Sequence, residues 1–290
     1  MSGVARASGP GVLRSVQGRS AWAALIPLLV QFLVFGGLLA RPTTAPALEP
    51  VPAGLDADLI AHRADDNLRS DRTFFRGRMV VNSPRLSGPR TVVFSSWEDR
   101  LGKRSFIRIH APPKDVGTAF LKIHSNLWMY IPRVERTMRI PPSLMLQSWM
   151  GSDFTNDDLV RESSEVEDYA HRLLGVEPAL ASAGGRRALV LEYLPHEDAP
   201  VVWGKIMVWV DAEHYAPLRE EFYDERGTKL RVLRFSDFHR LDGRTVPYRW
   251  SLKPLDKPGH STVIVVDEIR FDVAIDSTVF TTRNLTRRVE

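Results

Sequence analysis

A chain of 290 residues with 43% hydrophobic content is long enough to bury one large core or two ordinary ones. Its formal charge of +4 does not mark a polyanion binder, because residues 1–47 hold Arg6, Arg14, Arg19 and Arg41 and no carboxylate, leaving 35 basic against 35 acidic residues in the remainder. The absence of cysteine excludes disulfides, thiolate metal sites and lipid modification of a cysteine after the apolar run.

The arginines at the start precede an apolar run from Ala21 to Ala40 in which only Gln31 is strongly polar, and Ala45-Pro46-Ala47 offers a small-residue cleavage site. Residues 1–47 therefore read as a signal peptide for export or as an uncleaved inner-membrane anchor, since about twenty apolar residues can also span a bilayer. Pro42, Pro46, Pro50, Pro52 and Gly54 make a stiff, non-periodic linker that ends at 54, and a single domain is expected over 55–290.

Leu55, Leu59, Ala64 and Leu68 fall on one helical stripe, and Asp56 and Asp58 near its start suit the helix dipole, which predicts an amphipathic helix over about 55–70. Next comes a run of short strands: 73–82, 90–100, 103–110, 118–124, 127–131 and 134–140, separated by proline, glycine and asparagine breaks that suit hairpins. The stretch 141–175 abandons this pattern. Leu144, Met145, Leu146, Trp149 and Met150 cluster at helix-like spacing before Gly151-Ser152-Asp153-Phe154, so a crossover with short helices is expected there. Strands resume at 187–194, 204–211, 218–224, 229–239, 245–253 and 261–271. A dozen sequence-adjacent strands, one early helix and a helical insert make a mainly β fold: a wide antiparallel sheet that curls instead of lying flat. Its concave face must be filled by the chain's own helices or by a ligand.

Motifs for chemistry are sparse. The eight histidines form no H-x-x-x-H pair, and no G-x-S-x-G, G-x-G-x-x-G or phosphate-binding loop is present. Asp153, Asp157 and Asp158 read as helix caps and solvated loop residues. An enzyme reading, with Asp153 and His171 or His196 as acid and base, is the weaker alternative. No cofactor, metal or nucleic acid is expected. The Leu127-Trp128-Met129-Tyr130 run and the Trp149-Met150 pair suit either ordinary core or an irregular apolar guest.

Particular segments are shared with a known family. Phe120-Leu121-Lys122-Ile123, Asn126-Leu127-Trp128-Met129-Tyr130-Ile131-Pro132, Ile140-Pro141-Pro142-Ser143 and Trp149-Met150-Gly151-Ser152-Asp153-Phe154-Thr155-Asn156-Asp157-Asp158-Leu159 resemble the outer-membrane lipoprotein-sorting (LolA-like) proteins of bacterial envelopes. So do Val202-Trp203-Gly204-Lys205, Phe235-Ser236-Asp237, Val246-Pro247 and Pro254-Leu255-Asp256-Lys257-Pro258-Gly259, and together these span about 56–285. The resemblance implies an open half-barrel with helices over its concave face, in the periplasm. It also implies a monomeric, chaperone-like carrier that binds acyl chains of lipoproteins or free lipid without catalysis. No single position matches the family's lid-gating arginine. The broad group also resembles accessory proteins of RND-type exporters, so an exporter or an outer-membrane acceptor is the alternative partner. The expected groove residues are Phe94, Leu121, Trp128, Tyr130, Met138, Met145, Trp149, Met150 and Phe154. Segment 141–159 is expected to form a lid hinged at Gly151, Ser152 and Asp153.

Overall fold

The computed structural model describes residues 47–160, 165–197, 199 and 201–287. The expected signal peptide or membrane anchor, up to Pro46, lies outside them. No helix among the described residues is long and apolar enough to cross a membrane.

Helix α1 (Ala57–Asp66) is shorter than its sequence pattern and starts where Asp56 caps it, its Oδ1 accepting from the backbone N–H of Asp58 at 2.8 Å and of Leu59 at 3.2 Å. The buried stripe is Ile60, Ala61 and Ala64, while Leu59 points outward at 49% exposure. Thirteen strands follow: β1 (Arg72–Asn82), β2 (Arg90–Asp99), β3 (Arg104–Ala111), β4 (Ala119–Ile123), β5 (Asn126–Ile131), β6 (Arg136–Ile140), β7 (Tyr169–Leu180), β8 (Arg186–Pro195), β9 (Lys205–Asp211), β10 (Pro217–Tyr223), β11 (Lys229–Leu241), β12 (Arg244–Pro254) and β13 (Ser261–Arg270). Two short C-terminal turns complete the chain, a 3-10 turn at Ser277–Phe280 and helix α3 (Thr282–Leu285); α2 (Asn156–Val160) lies between β6 and β7.

All strands belong to one antiparallel sheet ordered β6-β5-β4-β3-β2-β1-β13-β12-β11-β10-β9-β8-β7. Every pairing except β1 with β13 is a sequential hairpin. The sheet is open, and its two edges, β6 and β7, are consecutive in sequence. The connecting segment 141–168 therefore has to travel from one edge to the other.

Strand β7 departs from the sequence reading, which left 141–175 without strands. Gly175 and Pro178 interrupt it and the pairing with β8 slips twice, so its apolar residues do not alternate. The glycine has a spatial reason. Glu49 exchanges backbone hydrogen bonds with Val176 at 2.8 and 3.0 Å, and a Cβ on Gly175 would stand 2.7 Å from the Glu49 carbonyl oxygen.

Parity separates two faces. On the inner one, Phe75, Met79, Val92, Phe94, Ile107, Ile109, Phe120, Leu127 and Trp149 form one cluster, and Ile60, Ala61, Leu191, Tyr193, Val208, Phe222 and Leu233 form a second with α1. On the outer face, Phe106, Ala119 and Leu121 are covered by Phe280 and Leu285 from the C-terminal turns, which Arg108 holds by donating to the carbonyls of Asn284 and Arg287. A smaller outer cluster, Leu180, Ala188, Val190, Trp209 and Leu218, lies toward the β7 edge.

Turn geometry is fixed by buried carboxylates. Burial alone would raise the Asp211 pKa, but the Arg186 guanidinium at 2.9 Å and the backbone N–H groups of His214 and Glu213 outweigh it and hold the carboxyl below its ordinary value. Asp99 is lowered likewise, burial being outweighed by Arg104 and the Gly102 N–H. A lowered folded pKa stabilises above the unfolded value near 3.9 and is lost as pH falls through the folded value. Melting temperature is therefore expected to stay level from neutrality to about pH 5 and to drop below about pH 4. Asp211→Asn should flatten part of that acid limb in a pH series of thermal melts. An equally steep limb in the variant would remove Asp211 from the account.

Candidate ligand-binding cavity

A cavity of about 340 Å³ lies between the inner face, α1 and the segment that crosses from β6 to β7. Ile107 of β3 and Tyr193 of β8 both line it, although eight strand spacings separate those strands, about 38 Å on a flat sheet. The sheet must bend toward this face for both to reach one hollow.

The body of the cavity is apolar. Phe75, Phe94, Phe222, Phe235 and Trp250 line it from the sheet, Ala61 and Ala64 from α1, and Trp149 and Phe154 from the crossing segment. The aromatic groups brace each other: Phe75 stacks on Phe94 with centroids 5.5 Å apart, and Trp149 meets Phe94 edge-on at 5.6 Å and Phe120 at 5.8 Å. Gly77 makes room for the Phe75 ring, which would lie 2.8 Å from a Cβ at that position. The indole N–H of Trp149 is buried and donates to no acceptor among the described residues.

One end of the cavity is polar. Register places Thr73, Glu98, Ser105 and Lys122 in a single row across β1 to β4, and all four line the hollow with Asp65 and Arg69 from the end of α1. Arg69 pairs with Asp65 at 3.1 Å and Arg100 joins it at 3.2 Å. Tyr193 is nearby as a neutral hydroxyl, because burial first, then the charges of Glu165, Glu220 and Asp65, push its pKa well above the usual phenol value.

The crossing segment folds back on itself before it reaches β7. Trp149 N–H donates to the Phe154 carbonyl at 2.8 Å and Asn156 N–H to that of Gln147 at 3.0 Å, so 147–156 is a closed loop with Gly151 at φ +68° near its tip. Two ties fix it to the sheet. Thr262 of β13 donates to Asp153 Oδ2 at 2.7 Å and accepts from the Asp153 N–H at 2.9 Å. Arg231 of β11 grips Asp158 with two bonds of 2.8 and 2.6 Å, and its guanidinium lies over the rings of Trp203 and Phe222 at 4.3 Å from each centroid.

The residues singled out from sequence are divided by this geometry. Phe94, Trp149 and Phe154 line the cavity. Met145 and Met150 pack on the adjoining core, and Met138, opposite Met129, shares the inner face nearer the β6 edge. Leu121, Trp128 and Tyr130 belong to the outer cluster beneath the C-terminal turns. Ser152 is buried, its hydroxyl donating to the Trp149 carbonyl at 2.7 Å. Asp153 contacts Thr262 and lies 3.7 Å from His260, whereas His171 is held by Asp58 and the Glu165 carbonyl. Sequence reading did not single out Phe75, Phe222, Leu233, Trp250 or the polar row, nor the Arg231 tie.

A family model described as an uncharacterized protein matches residues 102–287, nearly two thirds of the chain. A domain from Vibrio parahaemolyticus named for outer membrane lipoprotein sorting is 27% identical and superposes with a TM-score of 0.67, covering 80% of this chain and 98% of its own. The chain belongs to the LolA-like outer-membrane lipoprotein-sorting family. Two further solved structures share its fold. A DUF1329 family protein from Desulfovibrio piger has a TM-score of 0.70 at 24% identity, covering 79% of this chain and 97% of its own. A LolA superfamily protein from Nitrosomonas europaea has a TM-score of 0.65 at 22% identity, covering 79% and 99%. No curated protein matches this LolA-like chain.

Proposed function

We propose that this LolA-like chain is a non-catalytic periplasmic carrier for the acyl chain of a lipid or lipoprotein, exported through residues 1–47, with 55–290 as its carrier domain. The observation that carries the reading is the cavity's division into an aromatic and aliphatic body and one polar end, which is the shape of a single-chain amphiphile. Its volume of about 340 Å³ is roughly twice that of an engineered cavity that holds benzene, so it has room for on the order of a dozen carbons. Sheltering that length from water is worth about 0.8 kcal/mol per CH₂, close to 10 kcal/mol in all. Helix α1 and the crossing segment cover the hollow, and a cargo with several acyl chains needs that cover to move. Gly151, Ser152 and Asp153 form its hinge, and the Arg231–Asp158 pair is the latch. An accessory role beside an RND-type exporter would use the same cavity, with the exporter handing over or receiving the cargo.

Native mass spectrometry of the exported protein should reveal a bound lipid mass. Displacement of a fluorescent acyl probe by fatty acids of increasing length should strengthen up to about twelve carbons and then level off. No adduct and no displacement at any length would reject the carrier reading.

A further inference from the structure

The middle of the outer face belongs to neither outer cluster. Register puts Arg78 of β1 opposite Val265 of β13, Val265 opposite Arg249 of β12, and Ser251 of β12 opposite Arg234 of β11. Arg234 in turn opposes Arg219 of β10, and Arg219 opposes Trp209 of β9. Because Trp209 lies in the outer cluster, this row faces away from the cavity. Lys253, opposite Val232, and Lys229 extend it.

The six cations of this row share the outer face of the five strands with Asp267, Glu221 and Glu268, the last opposite Arg76 and paired with Arg270 at 3.1 Å. Arg78 pairs with Asp267 at 2.8 Å, and Arg219 and Lys229 share Glu221. Arg234, Arg249 and Lys253 make no ion pair among the described residues. Arg219 and Arg234 are direct cross-strand partners, an arrangement of like charges that costs stability. Beyond residue 47 the chain is charge-balanced, so this is segregation of charge onto one face and not a general excess.

The floor between the cations is Val80, Val263 and Val265, all half-buried. Its three valines supply no aromatic anchor of the kind that carries a protein interface. The cations instead spread over five adjacent strands, about 19 Å, and their planar guanidinium groups suit bidentate contact with phosphate. We propose that the outer face of β1, β13, β12, β11 and β10 docks on an anionic phospholipid surface, with Arg234 and Arg249 meeting the phosphates. Docking there leaves the cavity free, so this surface stands apart from cargo binding.

The test is flotation of the full-length chain with phosphatidylglycerol-containing vesicles and with purely zwitterionic ones, comparing the parent with Arg234→Glu/Arg249→Glu. The reversal should weaken binding to the anionic vesicles by at least about tenfold, leave zwitterionic binding unchanged, and lose its effect at high salt. Residues 1–47 are the same in both proteins, so their contribution cancels. The variant should melt no lower than the parent, because a carboxylate at position 234 would stand opposite Arg219, and it should still bind the acyl probe. Equal anionic-vesicle binding by parent and variant would overturn the proposal. So would a parent that prefers soluble polyglutamate to vesicles, which would point to an acidic protein partner.

Discussion

Ala64→Trp should lower the affinity for a fluorescent acyl probe by about tenfold or more. Ala64 projects from α1 into the apolar body of the cavity and is 6% exposed, so an indole at that position occupies the space that the methylenes need. Losing two or three buried CH₂ groups at about 0.8 kcal/mol each already approaches a factor of ten to fifty. Overpacking normally destabilises a core, but here the new side chain has a void to enter, and the melting temperature should change by only a few degrees. Probe titration alongside a thermal melt separates the two effects. Undiminished affinity in a folded Ala64→Trp protein would mean that the acyl chain binds elsewhere.

The second large effect concerns the latch. Arg231 and Asp158 are only 8% and 11% exposed, and Arg231 Nε already lacks an acceptor among the described residues. Removing one member of a buried pair leaves an uncompensated charge, so Asp158→Ala should cost about 3–5 kcal/mol in denaturant unfolding. Replacing both, as Asp158→Leu with Arg231→Met, should recover most of that loss, because the desolvation cost disappears along with the attraction; the remainder is the N–H and hydroxyl of Thr155, which donate to Asp158 Oδ2 at 2.8 and 3.0 Å. The contrast between single and double variants is the diagnostic. A loss below about 1 kcal/mol for Asp158→Ala would show that the crossing segment is held by its aromatic residues and the Asp153–Thr262 bonds without this pair.

Much of the sheet was legible because its hairpins are local: each pair of apolar runs is punctuated by glycine, proline or asparagine, and the turn chemistry fixes the neighbour. Strand β7 was hidden because Gly175 and Pro178 serve an edge, where one side of the backbone has little to pair with. The pairing of β1 with β13 left no local trace, and without it the edge-to-edge path of 141–168 cannot be derived. The cavity was only partly legible for a different reason. Leu121, Trp128 and Tyr130 are as apolar as Phe120, Leu127 and Met129, because β4 and β5 are covered on both faces, one by core and one by the C-terminal turns. Alternation reveals that two faces exist, but composition cannot say which is the hollow one. The α1 stripe was displaced for a related cause: small Ala61 and Ala64 face the cavity, whereas the larger Leu59 faces water.

An unclosed sheet leaves two rows of backbone donors and acceptors able to recruit a neighbouring molecule, the usual route to polymer growth. Here β6 presents Arg136 and Arg139 along a strand of five residues, and β7 is part-sealed by the Glu49 backbone and interrupted by Pro178. Both borders are thereby blunted, so the sheet can stay unclosed around its apolar hollow with little tendency to grow into fibrils.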